Sequence, residues 1–361
     1  MKVAVFIGGL SGGGAERVAC NLAGHLAERN DVTILSMTDD EATYGLDNRV
    51  RRINLISGCE RKNVIYDFLI RYWRLYKYLG SSKEDAYVVM LPITILMFFS
   101  LRWRTKAKVI ASERNLPSTY PKWQQFLLRK LFRVANGWVF QTKEQKQWYG
   151  KDTKYSLQTI IPNAINKAFS LQKNIPCANR NYEIVNVGRL TSQKNQALLI
   201  KAYAALPENL AQFKLSFYGD GGLKQELKDL ARQLKVGNRI EFKGFVKDIP
   251  SEIYNASLFV LSSDYEGMPN ALMEAMALGL PCISTDCGGG GARALIKSEV
   301  NGLLVPCNDV AALKTAMIRV LSDSKFANEL AKEAHNICEQ LSPSKIYNDW
   351  EDFICKVIEK K

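Results

Sequence analysis

The sequence predicts an α/β protein made of two Rossmann-like, doubly wound domains, and three observations carry that prediction. Short apolar runs alternate with amphipathic stretches of helical period along nearly the whole chain. The alternation starts afresh after an irregular, Asn-rich stretch at 162–180. Glycine-rich or charged turns follow several of the apolar runs, which is where open parallel sheets bind ligands. At 361 residues the chain is long enough for two domains, each with its own core.

Taken in order, KVAVFIG opens the first domain as a strand, followed by a helix over 15–28 and the strand VTILSM. KNVIYDFLIRYWRLYKYLG reads as a basic, aromatic-rich helix. Residues 87–101, YVVMLPITILMFFSL, are apolar but too short to span a bilayer and are interrupted by Pro92. They read as a buried strand ending near Leu91 and a helix lying close to a membrane interface. The strand KVIAS, a helix over 122–134 and the strand GWVFQT complete the half. The second domain runs EIVNVG, a helix over 195–204, KLSFYG, a helix over 223–234, IEFKG and a short helix over 249–255. LFVLSS, a helix opening at Pro269, PCISTD and GLLVP follow. Pro is tolerated as a first helical residue, and Gly279 with Pro281 ends that helix. The predicted boundaries are 1–165, 166–342 and a closing helix over 343–361.

The net charge of +13 sits in one segment. Residues 61–154 hold nineteen Lys and Arg against six Asp and Glu, while the rest of the chain is balanced. Within the segment, Arg71, Arg74 and Lys77 interleave with Tyr72, Trp73 and Tyr76, and KWQQFLLRKLFR repeats the theme. An anionic bilayer surface fits this pattern, with Arg71, Trp73, Arg74 and Lys77 as the contacts, each nearby cation contributing about 1 kcal/mol. A nucleic-acid surface has the same look, and so does a core-facing stripe flanked by solvated cations. Eight cysteines without a C-x-x-C pair read as reduced, buried thiols of a cytosolic protein. Only His25 and His335 are present and no Asp-x-Asp occurs, so no metal site and no cofactor is expected. No secretory signal is read at the start, where the first strand meets a glycine-rich turn.

The most informative stretch is EGMPNALMEAMALGLP, which sets Glu266 in a loop at a strand's carboxyl end and Glu274 inside the helix that follows. Glu266 as a helix cap and Glu274 as a surface acid is the ordinary reading. Against it, Glu274 is embedded in Ala271, Leu272, Met273, Ala275, Met276, Ala277 and Leu278, and a carboxylate buried on such a helix needs a partner. The spacing E-G-x-P-x-x-x-x-E resembles the EX7E signature of retaining, nucleotide-sugar-dependent glycosyltransferases of GT-B architecture, family 4 (group 1). That resemblance implies two Rossmann-like domains facing across a cleft, with the closing helix packed back on the first. It gives Glu266 contact with the transferred sugar and Glu274 contact with the ribose hydroxyls, with Gly267, Met268, Pro269 and Asn270 between them.

Four further segments stand beside it. Gly188, Arg189, Leu190 and Lys194 follow the strand EIVNVG, where two cations can hold a diphosphate at roughly 1.5–3 kcal/mol per charge-assisted bond. Taken alone they read as a cap and a solvated lysine; beside EX7E they match the family's phosphate pair. Gly12, Gly13 and Gly14 resemble the family's N-terminal glycine loop and let backbone approach a ligand. As a dinucleotide fingerprint the loop fails because Arg17 stands where the third Gly belongs, although Asp39 and Asp40 end the second strand where a ribose acid would sit. Ser112 ends KVIAS and Glu113, Arg114 and Asn115 follow it; these three with Asn163 are candidates for sugar or acceptor binding, or Glu113 and Arg114 simply form an ion pair. Family members often carry His there, whereas S-E-R-N resembles a bacterial surface-polysaccharide subgroup. Gly288 to Gly291 resemble a donor loop, or form a flexible turn.

The resemblance implies a retaining, metal-independent transferase. It moves a hexose or N-acetylhexosamine (GalNAc, GlcNAc, Gal or Glc) from a UDP-linked donor onto a polyprenyl-diphosphate-linked saccharide, without nucleic acid. It would work in the cytoplasm, peripherally on the inner membrane face. The competing readings are a basic nucleic-acid or anionic-membrane binding module and an NAD-dependent oxidoreductase.

Overall fold

A computed structural model of the chain describes residues 1–11, 13–43, 45–150, 156–170 and 175–360. Gly12, singled out above, lies outside the described residues. The first half runs β1 (Lys2–Ile7), α1 (Gly14–Leu26), β2 (Asp31–Ser36), β3 (Arg51–Asn54), α2 (Val64–Ser81), β4 (Ala86–Met90), α3 (Pro92–Ser100), β5 (Lys108–Ser112), α4 (Lys122–Leu131), β6 (Gly137–Phe140), α5 (Lys143–Tyr149) and β7 (Leu157–Ile160). The second runs α6 (Lys167–Ser170), β8 (Asn181–Val187), α7 (Gln196–Ala204), β9 (Lys214–Tyr218), α8 (Lys224–Gln233), β10 (Ile240–Gly244), α9 (Ile249–Ile253), β11 (Ala256–Leu261) and α10 (Asn270–Ala277). It ends with β12 (Cys282–Thr285), α11 (Gly291–Leu295), β13 (Leu303–Val305), α12 (Val310–Ser322), α13 (Ser324–His335), α14 (Ile337–Gln340) and α15 (Pro343–Glu359).

Two compact units result: Met1–Ala164 with the described residues from Ser344 on, and Ile165–Pro343. Unit 1 holds a parallel sheet in the order β3-β2-β1-β4-β5-β6-β7 and unit 2 one in the order β10-β9-β8-β11-β12-β13. In each, the order reverses beside the unit's first strand, so a ligand crevice opens at the carboxyl ends next to β1 and β8. Strands this apolar must be covered on both faces. In unit 1 one face is packed by α2, α3 and α4 through Leu75, Leu79, Ile95, Phe98, Leu128 and Phe132 against Phe6, Tyr87, Val89, Trp138 and Phe140. The other takes α15, where a Cβ on Gly137 would lie 2.8 Å from Val357, so glycine is what lets this helix seat on β6. His25 of α1 packs on Tyr347 and bonds Asn348 of the same helix.

Several expectations are corrected. The helix after Pro92 is largely a core element: Ile95, Met97, Phe98 and Phe99 are buried between α2 and α4 over the sheet, and Ile93 in its first turn is exposed. Pro269 caps its helix from outside, with ψ at 97°, and helical geometry begins at Asn270. Of the eight cysteines, which form no disulfide, only Cys20, Cys282 and Cys287 are buried and Cys59 is exposed, since it lies in a polar turn outside the sheet. The edge strands β3 and β7 and the helices α5, α12 and α13 were not predicted. Among the described residues no helix is long and apolar enough to cross a membrane, and no group of three or more His, Cys, Asp or Glu could hold a metal ion.

Candidate donor site at the carboxyl ends of β8 and β11

Sheet order makes β8 and β11 neighbours, so the loops that follow them converge. The first carries Gly188, Arg189 and Lys194; the second carries Ser262 to Pro269. Lys194 Nζ pairs with Glu266 Oε1, which also accepts a hydrogen bond from Ser263 Oγ at 2.7 Å. Ser262 Oγ donates to the Lys194 carbonyl at 2.9 Å, tying the two loops together beneath the ion pair. Glu266 is only 6% exposed, so its charge depends on Lys194 and Ser263 rather than on water. Arg189 is exposed, and its guanidinium has no partner among the described residues. Close backbone approach shapes this end of the sheet: a Cβ on Gly219, at φ +136°, would lie 2.1 Å from the Gly188 carbonyl.

Glu274 stands on α10 one turn beyond its start and is 8% exposed, as its apolar surroundings predicted. No side chain caps the first turn of α10, and its Leu272 and Met273 N–H groups donate to the Pro269 carbonyl at 3.1 Å. The run Gly288 to Gly291 is a wedge rather than a flexible turn. Glu266 N–H donates to the Gly288 carbonyl at 3.0 Å, and a Cβ on Gly291 would stand 1.8 Å from the Gly267 carbonyl and 2.7 Å from Pro269. Gly291→Ala must therefore push the Glu266–Pro269 loop outward. We expect a cost of about 3 kcal/mol, a fall in melting temperature of roughly 5–10 °C and loss of donor binding, checked by thermal melts and calorimetry with UDP.

In unit 1, Glu113 is fully buried and accepts from Tyr120 at 2.7 Å, Tyr149 at 2.6 Å and the N–H groups of Arg114 and Asn115. Burial pushes its carboxyl above the ordinary range and the four donors oppose that. With its oxygens so occupied, Glu113 holds the turn and is not free to take a sugar. Arg114 is buried, donates to Asn163 Oδ1 at 3.0 Å and lies over the Trp350 ring, and burial pushes its pKa down to about 10. Its Nε and Nη2 find no protein partner. Gln141 donates to the same Asn163 oxygen at 2.7 Å, while Asn115 is exposed. Gly13 caps α1 and Gly14 begins it, and no side chain caps that helix.

Asp40 accepts from Thr38 at 2.6 Å and Ser11 at 3.3 Å, and Asp39 accepts from Gly58 N–H at 2.7 Å. Both carboxylates are committed to holding loops, which leaves the oxidoreductase reading without its ribose acid. The cations chosen as membrane contacts also need correction. Arg74 is paired with Glu60 and bonds the Leu55 carbonyl, and Arg71 bonds the Met37 carbonyl at 3.0 Å beside buried Asp67. Both point along the protein, because their side of α2 packs towards the ends of β2 and β3; Lys77 lies over the Trp73 ring at 3.7 Å.

Comparison with known proteins gives this geometry a context. Residues 170–337 match the model of glycosyl transferases group 1, and residues 12–169 match glycosyltransferase family 4. The chain is 32% identical to the UDP-Gal:α-D-GlcNAc-diphosphoundecaprenol α-1,3-galactosyltransferase of Escherichia coli, over 86% of this chain and 84% of that protein. This chain belongs to the group 1 glycosyltransferases of GT-B fold. The glycosyltransferase is also 29% identical, over 99% of both chains, to a Campylobacter jejuni α-1,4-N-acetyl-D-galactosaminyltransferase named for the substrate GalNAc-α-(1→4)-GalNAc-α-(1→3)-diNAcBac-PP-undecaprenol. Its fold is similar to that of Anabaena HepE crystallised with UDP, at a TM-score of 0.83 and 18% identity over 99% of this chain and all of that one. Both relatives are named for undecaprenyl-diphosphate-linked saccharides.

Ser262 and Ser263, which lock Lys194 and Glu266 into one cluster, were not singled out from sequence. The strand-end position of LFVLSS was the available signal. Tyr120, Tyr149 and Gln141 had none, since nothing local to them indicates that they converge on Glu113 and Asn163.

Proposed function

We propose that this glycosyltransferase moves a hexose or N-acetylhexosamine from a UDP-linked donor to a hydroxyl of a polyprenyl-diphosphate-linked saccharide, with retention of anomeric configuration and without a metal. The observation that carries the reading is the Lys194–Glu266–Ser263 cluster, formed where the loop that holds Arg189 meets the loop that leads into α10. As the anomeric C–O bond breaks, negative charge grows on the departing diphosphate. Arg189, Lys194 and the N-terminus of α10 would receive it, with Glu266 meeting the sugar and Glu274 the ribose. The acceptor oxygen bonds to the anomeric carbon from the leaving-group face, and its proton passes to the departing phosphate oxygen. In unit 1, Gly13 and Gly14 would meet the donor. Arg114 and Asn163, with exposed Asn115, would meet sugar or acceptor, while Glu113 positions them. The names of the E. coli and C. jejuni relatives support both the lipid-diphosphate acceptor and the choice among galactose-type and N-acetylated sugars. A lipid-borne acceptor would hold the enzyme peripherally at the cytoplasmic face of the membrane.

Incubation of the full-length protein with a panel of UDP-sugars and a short polyprenyl-diphosphate saccharide tests the reading. We expect one donor to be used well, a product with the donor's anomeric configuration by NMR, and an unchanged rate in EDTA. Absence of transfer from every UDP-sugar, or an inverted product, would overturn it.

A further inference from the structure

In a right-handed βαβ crossover the helix runs back against its strands, so its first turns lie at the carboxyl edge of the sheet. Three helices of unit 1 lie side by side on one sheet face in this way, α2, α3 and α4. Two bonds fix the alignment: Arg71 of α2 reaches Met37 just past β2, and Tyr120, just before α4, reaches Glu113 just past β5. The inward sides of these helices fill the core. Their outward first turns carry large exposed apolar residues: Ile65, Phe68 and Leu69 on α2, Ile93 on α3, and Trp123 and Phe126 on α4, each between 48% and 74% exposed.

The charges around this face are mostly positive: Glu60 is paired with Arg74, and Asp67 takes Arg61 at 3.5 Å. Arg61 and Lys62 precede α2, Lys122 opens α4, and all three are exposed. Between Lys62 and Lys83 the single acid is Asp67, which is buried; between Arg114 and Lys143 there is none. A second copy of the same face would bring like charges together, whereas anionic headgroups over an apolar layer complement both features at once.

Building on the lipid-linked acceptor proposed above, we propose that the first turns of α2, α3 and α4 form an insertion face. It seats Ile65, Leu69, Trp123 and Phe126 into the headgroup boundary of an anionic bilayer, beside the carboxyl edge of the unit 1 sheet. The apolar residues hold the protein there and Arg61, Lys62 and Lys122 draw it in. Arg71 and Arg74 are engaged by the protein itself, Arg71 with the Met37 carbonyl and Arg74 with Glu60.

The test uses full-length protein and vesicles of phosphatidylethanolamine with phosphatidylglycerol. Ile65→Glu with Leu69→Glu, and separately Trp123→Glu with Phe126→Glu, should each lower the vesicle-bound fraction roughly tenfold or more. Phe245→Glu, at an equally exposed apolar position in unit 2, should bind like the parent. Parent binding should persist in part at high salt, as purely electrostatic adsorption would not. All variants should melt like the parent and keep transfer to a water-soluble acceptor, so that loss of the soluble reaction in the parent speaks against the functional reading alone. Parent-like sedimentation of both pairs would overturn the insertion face. So would a loss of binding that accompanies a dimer-to-monomer change in sedimentation velocity, which would make a second copy the occupant.

Discussion

Glu266→Gln is expected to lower kcat for sugar transfer by roughly a thousandfold, about 4 kcal/mol, while leaving the protein folded. The carboxylate is nearly enclosed and accepts from both Lys194 and Ser263. An amide keeps the shape but loses the charge that faces the sugar as positive character develops at its anomeric carbon. It also leaves the Lys194 ammonium without its counter-ion, so part of any loss of stability comes from that unpaired cation. A melt separates the two effects. A drop of a few degrees with activity abolished is the expected pattern, and UDP affinity should change far less than kcat. Retention of a tenth or more of parental kcat by folded Glu266→Gln would remove this carboxylate from the chemistry and leave it as a loop anchor.

The second large effect is on the diphosphate. Arg189→Ala and Lys194→Ala should each weaken UDP binding by about 2–4 kcal/mol, read by calorimetry, and slow transfer in proportion. The two losses differ in origin. Arg189 is exposed, so its removal subtracts a charge-assisted bond and little else. Lys194 holds Glu266, and its removal also strands a carboxylate that is only 6% exposed. The double variant Lys194→Ala with Glu266→Gln should therefore lose less than the sum of its parts, by roughly 1 kcal/mol or more. UDP affinity unchanged in both single variants would end the assignment of these cations to phosphate.

How much of this was legible can be judged residue by residue. EX7E stood in the sequence because its geometry is local: a strand end, a short loop and one turn of helix fix where Glu266 and Glu274 lie relative to each other. The fold class was legible for the same reason, since apolar period and strand-end glycines are set by near neighbours along the chain. The edge strands β3 and β7 were not, because RRIN and LQTI lack the apolar runs of strands covered on both faces, and an edge strand need not have them.

By itself, then, the sequence determined two doubly wound domains, a pair of spaced acids and a basic, aromatic segment. Tertiary structure decided what those features do to one another. The pairing of Lys194 with Glu266, 72 positions apart, exists only because β8 and β11 are neighbours in the sheet. The role of Gly291 appears only when the Gly267 carbonyl is found against it. Which residues of α2 the rest of the unit engages was settled by where Met37, Leu55 and Glu60 fall, holding Arg71 and Arg74 and leaving Ile65 and Leu69 outside. Local pattern fixes each helix's possible faces, and only burial against distant strands, where an unpaired charge costs more than an exposed apolar side chain, selects the face that turns in.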